Sequence, residues 1–331
     1  MSDTDTLLEV RNLRTYFHTD DGVVRAVDGV SFDVAKTQVV GVVGESGCGK
    51  SVTALTILRL IPSPPGRIEE GSILLHREHE TVDIATLPAK GRKIREIRGA
   101  EISMIFQEPM RTLSPIYSIG YQIMESVRLH QGLSKTDAKE HAIHMLRSVG
   151  MPDPEQRVNA YPHQLSGGMR QRAMIAMALS CRPKLLNADE PTTALDVTIE
   201  AQILELVREL QREYHMSILF ITHDLGVIAK MAHTVLVMYL GRIVERASTV
   251  DLFRNPAHPY TQALFRSIPG MAPAPKAKLE AISGSVPDPT VTIRGCSFAP
   301  RCPHAHDRCK TDPGYTEVGP DHAVACWLYE D

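Results

Sequence analysis

The sequence predicts an α/β protein: a parallel sheet covered by helices on both faces, a small antiparallel sheet ahead of it, and a cysteine-bearing tail. Three observations carry this. Near-continuous apolar runs at 38–43, 184–189, 217–222 and 235–239 alternate with helix-period segments, the pattern of strands buried on both faces. A glycine-rich stretch joins the first of these runs directly to a helical pattern. Cys296, Cys302, Cys309 and Cys326 crowd the tail, whereas Cys48 and Cys181 stand apart.

The 331 residues suffice for one large core with an appendage, or for two domains, and 43% hydrophobic with 23% charged residues is ordinary for a folded chain. Residues 7–43 alternate short apolar runs around Thr19-Asp20-Asp21-Gly22, which predicts a small antiparallel sheet. The run 38–43 then enters the glycine stretch and a helix over 52–60. Residues 115–180 read as mostly helical. There Ser134-Lys135-Thr136-Asp137 fits a capping box, with Ala138, Ala142, Met145, Leu146 and Val149 at helical spacing up to Gly150. After the strand 184–189, Ile199, Ile203, Val207 and Leu210 share one helix face, and a strand, a helix and a last strand follow. Beyond 250 prolines become frequent and periodicity fades. The boundary is placed there: 1–250 as the main domain, with a helical part at about 110–180, and 251–331 as an extension poor in regular structure.

The net charge of -3 gives no whole-chain attraction for nucleic acid, which is not expected as a partner. No apolar run reaches the roughly 18 residues of a membrane span, and the opening residues carry no basic segment of the signal-peptide kind. A cytoplasmic protein is expected, one that would serve a membrane only by docking onto chains that cross it.

Gly44-Glu45-Ser46-Gly47-Cys48-Gly49-Lys50-Ser51 matches G-x-x-x-x-G-K-[ST] between a strand and a helix. The glycines let successive N–H groups turn inward around a phosphate, and the helix adds its positive end. Lys50 then reaches the β- and γ-phosphates, and Ser51 ligates Mg²⁺. The second element is Asp189-Glu190 at the end of an apolar strand. Asp189 is expected to hold the Mg²⁺ shell and Glu190 to polarise an attacking water. Asn187 shares a strand face with Asp189 and is expected to find a hydrogen-bond partner.

Leu165-Ser166-Gly167-Gly168-Met169-Arg170-Gln171 offers a second anion cradle at a helix start. Here the sequence resembles the signature of the ATP-binding cassette (ABC) ATPases, and the other motifs fall in that family's order over roughly residues 7–250. The resemblance implies a RecA-like P-loop NTPase core, an antiparallel β-subdomain and a helical subdomain bearing the signature. ATP would contact Phe17 (or the adjacent Tyr16) by adenine stacking, and Gly44, Glu45, Ser46, Gly47, Cys48, Gly49, Lys50, Ser51 and Val52 through its phosphates. It further implies Mg²⁺ at Ser51, Gln107 and Asp189, and catalysis by Glu190 with His223 and Gln107. Ser166, Gly167, Gly168 and Gln171 would meet a partner's ATP, and Ala194-Leu195-Asp196 would form the interfacial D-loop. The region at about 107–130 would receive the membrane subunits.

His258-Pro259-Tyr260-Thr261-Gln262-Ala263-Leu264 and the Cys296–Cys309 segment resemble the extension of oligopeptide and dipeptide importer ATPases. From residues alone, the first is only a proline-marked helix entry. The family implies import of di- or oligopeptides at the cytoplasmic face of the bacterial inner membrane. Its partners would be a second, often different, ATPase subunit, two transmembrane permeases and an extracytoplasmic peptide-binding protein. Nickel import by the same kind of subunit, and a soluble ABC ATPase outside transport, are the alternatives. Exporter ATPases and a nucleotide-gated module without turnover are further rivals. The cysteine spacing C-x₅-C-x₆-C-x₁₆-C lacks the tight pairs of zinc ribbons. By resemblance a [4Fe–4S] cluster on Cys296, Cys302, Cys309 and Cys326 is expected, with Zn²⁺ (His304 and His306 nearby) or unligated thiols as alternatives.

Overall fold

The structure is a computed structural model that describes residues 5–108, 112–193, 195–267, 282–291 and 293–330. Strands β1 (Thr6–Thr19) and β2 (Gly22–Ala35) flank the predicted turn, and β3 (Val39–Val43) leads into helix α1 (Lys50–Ile57). Then come β4 (Gly66–His76), β5 (Thr81–Asp83), α2 (Arg92–Ile97) and β6 (Ile102–Ile105). Helices α3 (Ile119–Gln131), α4 (Lys135–Ser148), α5 (Pro154–Arg157) and α6 (Gly167–Leu179) follow. The next stretch alternates β7 (Leu185–Asp189), α7 (Val197–Tyr214), β8 (Ser217–Ile221), α8 (Leu225–Met231) and β9 (Thr234–Tyr239). The chain finishes with β10 (Arg242–Ser248), α9 (Thr249–Arg254), α10 (Pro259–Arg266), β11 (Thr316–Gly319) and β12 (His322–Val324).

These elements form two compact units: Met1–Leu7, Val34–Gln38 and Leu87–Phe220 in one, Leu8–Asp33, Val39–Thr86 and Ile221–Asp331 in the other. The division therefore interleaves the chain, and the stretch after 250 belongs with the glycine loop.

In the first unit β6 and β7 pair in parallel, Ile102 opposite Leu185 and Met104 opposite Asn187, with β8 beyond β7. Every residue of β7 is buried, Asn187 included. Ser134 caps α4, its Oγ accepting from the Asp137 N–H at 3.2 Å. The Asp137 carboxylate returns to the Ser134 hydroxyl, 2.8 Å from Oγ to Oδ2, so the N-cap forms with a side-chain bond in place of the capping box's return bond to the backbone. That helix buries Ala138, Ala142, Met145 and Leu146, one face at the spacing of a 3.6-residue period. Helix α7 buries Ile203, Leu204, Leu206, Val207 and Leu210, each worth about 1.5–3 kcal/mol of burial. A charge at Val207, which is 0% exposed, would break that face.

In the second unit β2, β1, β4 and β5 lie in that order as an antiparallel sheet. Strand β3 pairs in parallel with β9, Val42 opposite Leu236. Strand β3 packs closely on α8 at Gly41, where a Cβ would sit 2.7 Å from Ile228 Cδ1 and would push that side chain aside. Strand β10 turns back antiparallel on β9, and β12 and β11 extend the sheet. The extension is thus more regular than its sequence suggests: α10 and the β11–β12 hairpin belong to it, and the hairpin pairs Glu245 of β10 with Val324. Glu245 is wholly buried and accepts from the Ala257 and His258 N–H groups at 2.7 and 2.8 Å, and bonds His322 Nε2 at 2.8 Å.

Candidate functional site

In the second unit the fully buried β3 delivers the chain to Gly44, and α1 starts at Lys50. Gly44, Gly47 and Gly49 have φ of 152°, 80° and 105°, which side-chain-bearing residues rarely adopt. Two are also sterically obligatory. A Cβ at Gly44 would lie 2.2 Å from the Met238 carbonyl oxygen, and one at Gly49 2.1 Å from that of Ala26. The Gly241 N–H pins the loop from outside through the Cys48 carbonyl at 2.9 Å. Lys50 is 5% exposed, and its Nζ donates to the carbonyls of Gly44 at 2.8 Å and Glu45 at 3.0 Å. The ammonium is thereby tethered along the loop it serves. Ser46 and Gly47 are exposed, Ser51 and Val52 half-buried, and Cys48 buried, with burial pushing its thiol pKa up.

Of the two aromatic candidates, Tyr16 lines a cavity with Gly47, Arg25, Asp28 and Arg242. Its hydroxyl donates to Asp28 Oδ1 at 2.7 Å, and the Arg25 guanidinium lies 5.6 Å from its ring centre. Phe17 is half-buried beside Gly66, whose Cβ would lie 3.0 Å from the ring. His223 is exposed after β8, and Asp224 beside it caps α8.

In the first unit β7 ends with Asp189, 4% exposed, and Glu190 leaves the strand at φ 45°. Gln107, just beyond β6, donates from Nε2 to Glu190 Oε2 at 3.0 Å, and Thr193 Oγ1 donates to the same oxygen at 2.9 Å. The parallel pairing of β6 and β7 brings Gln107 to Glu190; sequence reasoning anticipated both residues but not Thr193. Ser166 caps α6, its Oγ accepting from the Met169 N–H at 3.4 Å. Ser166 and Gly167 are exposed and Gly168 is half-buried, its Cβ position 3.0 Å from Ile199. Gln171 differs from them: it is 2% exposed, so its side chain faces the interior of its unit. Asp196 caps α7 through its Oδ1, accepting from Thr198 and Ile199 N–H at 3.1 and 3.0 Å; Ala194 lies outside the described residues.

In the tail, Cys296, Cys302, Cys309 and Cys326 line one small cleft together with His258, His304 and His306. Among the described residues, no three His, Cys, Asp or Glu side chains are already set to hold a metal ion. The cleft therefore has the donors gathered without ion geometry. Burial, then the neighbouring Cys296, Cys302 and Cys309, push Cys326 up to about 11. His258 is 1% exposed; its Nδ1 accepts from the Tyr260 N–H at 3.0 Å, so the proton sits on Nε2, which has no hydrogen-bond partner among the described residues.

The family described as "ABC transporter" matches residues 27–193, and "Oligopeptide/dipeptide transporter, C-terminal region" matches residues 244–309. An oligopeptide transport ATP-binding protein of Bacillus subtilis is 50% identical over 98% of this chain and 98% of its own length. This chain belongs to the ATP-binding cassette transporter family. A dipeptide transport ATP-binding protein of Escherichia coli is 49% identical over 92% of this chain and 91% of its own. Among solved structures, the ATP-binding cassette MJ0796, a post-hydrolysis dimer with ADP and phosphate, superposes with a TM-score of 0.64. It covers 73% of this chain and 98% of its own at 23% identity, a likeness of fold. As a cassette ATPase the chain binds and hydrolyses ATP with Mg²⁺. Ser51, Gln107 and Asp189 each carry an oxygen donor of the type a hard cation takes. Among the described residues no helix is long and apolar enough to cross a membrane.

Proposed function

We propose that this chain is the ATP-hydrolysing subunit that powers import of di- and oligopeptides. It would work peripherally at the inner face of the bacterial inner membrane with a second, paralogous ATPase subunit, two permeases and a peptide-binding protein. The observation that carries the reading is Glu190, oriented by Gln107 and Thr193, in a chain half identical along nearly its full length to a protein named for oligopeptide transport.

In this reading the loop at 44–51 and Lys50 would hold the phosphates, and Ser51, Asp189 and Gln107 would serve as ligands of Mg²⁺, which when bound would offset phosphate charge. Glu190 accepts the proton of the attacking water, and His223 stabilises charge on the γ-phosphate. Phe17 is the ring proposed for adenine, since Arg25 already covers Tyr16. The exposed Ser166 and Gly167 would meet the partner's nucleotide, and Asp196 the partner's surface; buried Gln171 would support the signature from beneath. The test is Glu190→Gln, expected to keep ATP binding while stopping hydrolysis and peptide uptake; normal turnover would overturn the assignment.

Docking on permeases is supported by Ile116, Tyr117, Tyr121 and Leu129 in the first unit, which are 72%, 44%, 49% and 72% exposed. Tyr117 and Tyr121 stack with ring centres 4.6 Å apart. In the tail, Cys296, Cys302, Cys309 and Cys326 would hold a [4Fe–4S] cluster, with Zn²⁺ as the alternative; its role would be to cross-link the extension.

A further inference from the structure

The residue of the phosphate loop that the loop's own chemistry explains least is Glu45. The cradle works through backbone N–H groups and a lysine, and a carboxylate beside a site for a polyanion opposes binding. Yet Glu45 is held at three places, and two of its three anchors come from the C-terminal extension.

Arg301 Nη1 donates to Glu45 Oε2 at 2.7 Å and Nη2 to Oε1 at 3.1 Å, a two-pronged pair joining residues 256 apart in sequence. The Arg301 side chain is 4% exposed and that of Glu45 25%. The rest of the guanidinium is used as well: Nε donates to the Ser283 carbonyl at 3.1 Å, and Nη1 also reaches the Tyr239 hydroxyl at 3.4 Å. Beneath it, Tyr239, Tyr260 and Phe298 pack ring against ring at 4.7–5.4 Å between centres. The Tyr260 hydroxyl accepts from the Glu45 N–H at 2.8 Å, and the Glu45 carbonyl accepts from Lys50. Backbone N–H, backbone carbonyl and side chain of one loop residue are therefore all fixed.

We propose that Arg301 and Tyr260 are positioning residues of the nucleotide site: the guanidinium neutralises Glu45 and the phenol fixes the loop backbone, so the extension tunes ATP affinity. Planar pairing of this kind suits arginine and not lysine. The inference rests on reading 44–51 as the phosphate-binding loop, and its test separates the two.

Affinity for Mg-ATP is measured on the purified full-length chain by displacement of a fluorescent ATP analogue, alongside its melting temperature. Lys50→Ala is the control: unchanged affinity there would mean that the phosphate-loop reading fails. With that control weakened, Arg301→Ala is expected to bind ATP about tenfold more weakly, as for one uncompensated charge near the anion. Adding Glu45→Gln to Arg301→Ala is expected to restore most of that loss, because the repelling carboxylate is then gone. Unchanged affinity in Arg301→Ala, or a double variant as weak as the single one, would overturn the proposal; the second result would mean that arginine only supports the tail. Should Arg301→Ala fail to fold, Tyr260→Phe decides, since it removes only the acceptor for the Glu45 N–H. A several-fold weaker affinity supports the proposal, and wild-type affinity overturns it.

Discussion

Gln107 and Thr193 both donate to Oε2 of Glu190, at 3.0 and 2.9 Å. One donor comes from the end of β6 and the other from the turn after β7, and Glu190 itself stands at φ 45°. A carboxylate gripped at one oxygen has a set plane, which a base must have to meet a water in line with a phosphate. Backbone strain at such a residue is characteristic of functional positions.

Thr193→Val keeps the shape and removes one donor to Glu190. Losing a hydrogen bond to a charged group costs about 1.5–3 kcal/mol, so the turnover number should fall roughly tenfold or more. Steady-state kinetics should show KM for ATP nearly unchanged; a rise in KM with normal turnover would contradict the orienting role.

Two of the loop glycines, Gly47 and Gly49, should separate on substitution. Gly47→Ala meets nothing within 4 Å and bears only its φ of 80°, about 1–2 kcal/mol, so its melting temperature should drop by a few degrees. Gly49→Ala drives a Cβ to 2.1 Å from a backbone oxygen and should abolish nucleotide binding or folding. Equal tolerance at both positions would refute the steric account.

His258 is held neutral by burial, its pKa lowered to about 3, against about 6.5 in an unfolded chain. Between those values the unfolded chain binds the extra proton, so stability is complete above about 6.5 and declines as pH falls toward 3. The slope is at most about 1.4 kcal/mol per pH unit. His258→Asn retains a cap acceptor without titrating there, and urea unfolding across this range should show a flatter pH profile for the variant.

Protein purified without oxygen should be brown and contain the iron of a four-iron cluster, and Cys302→Ser should remove both. Colourless protein with stoichiometric zinc would replace the cluster by the ion, and metal-free protein would refute both.

Tyr117→Arg breaks the exposed Tyr117–Tyr121 stack without touching a buried residue. Co-purification with the permeases should be lost while the isolated chain still binds ATP. Retained co-purification would move the docking surface elsewhere.

The glycine loop, the Asp189-Glu190 pair and the Ser134 cap were legible in the sequence because each mechanism demands particular residues at short, fixed spacing. Strand β4 was not: Glu69, Glu70 and Gly71 interrupt its apolar pattern, and its fitness as a strand comes from its pairing with β1. The β11–β12 hairpin escaped notice because its strands have only four and three residues. Arg301 and Glu45 are too far apart along the chain for any periodicity to join them, and nothing local marks Thr193 as a partner of Glu190.

Glu245 sits at the meeting point of β10, the entry to α10 and the terminal hairpin, with 0% exposure. Trimming the protein back through His322 would leave that acid short of one of its hydrogen-bond partners in a tightly packed interior. The closing hairpin thus works as a keystone: engineers seeking a minimal version, or a fusion at this end, should leave it whole.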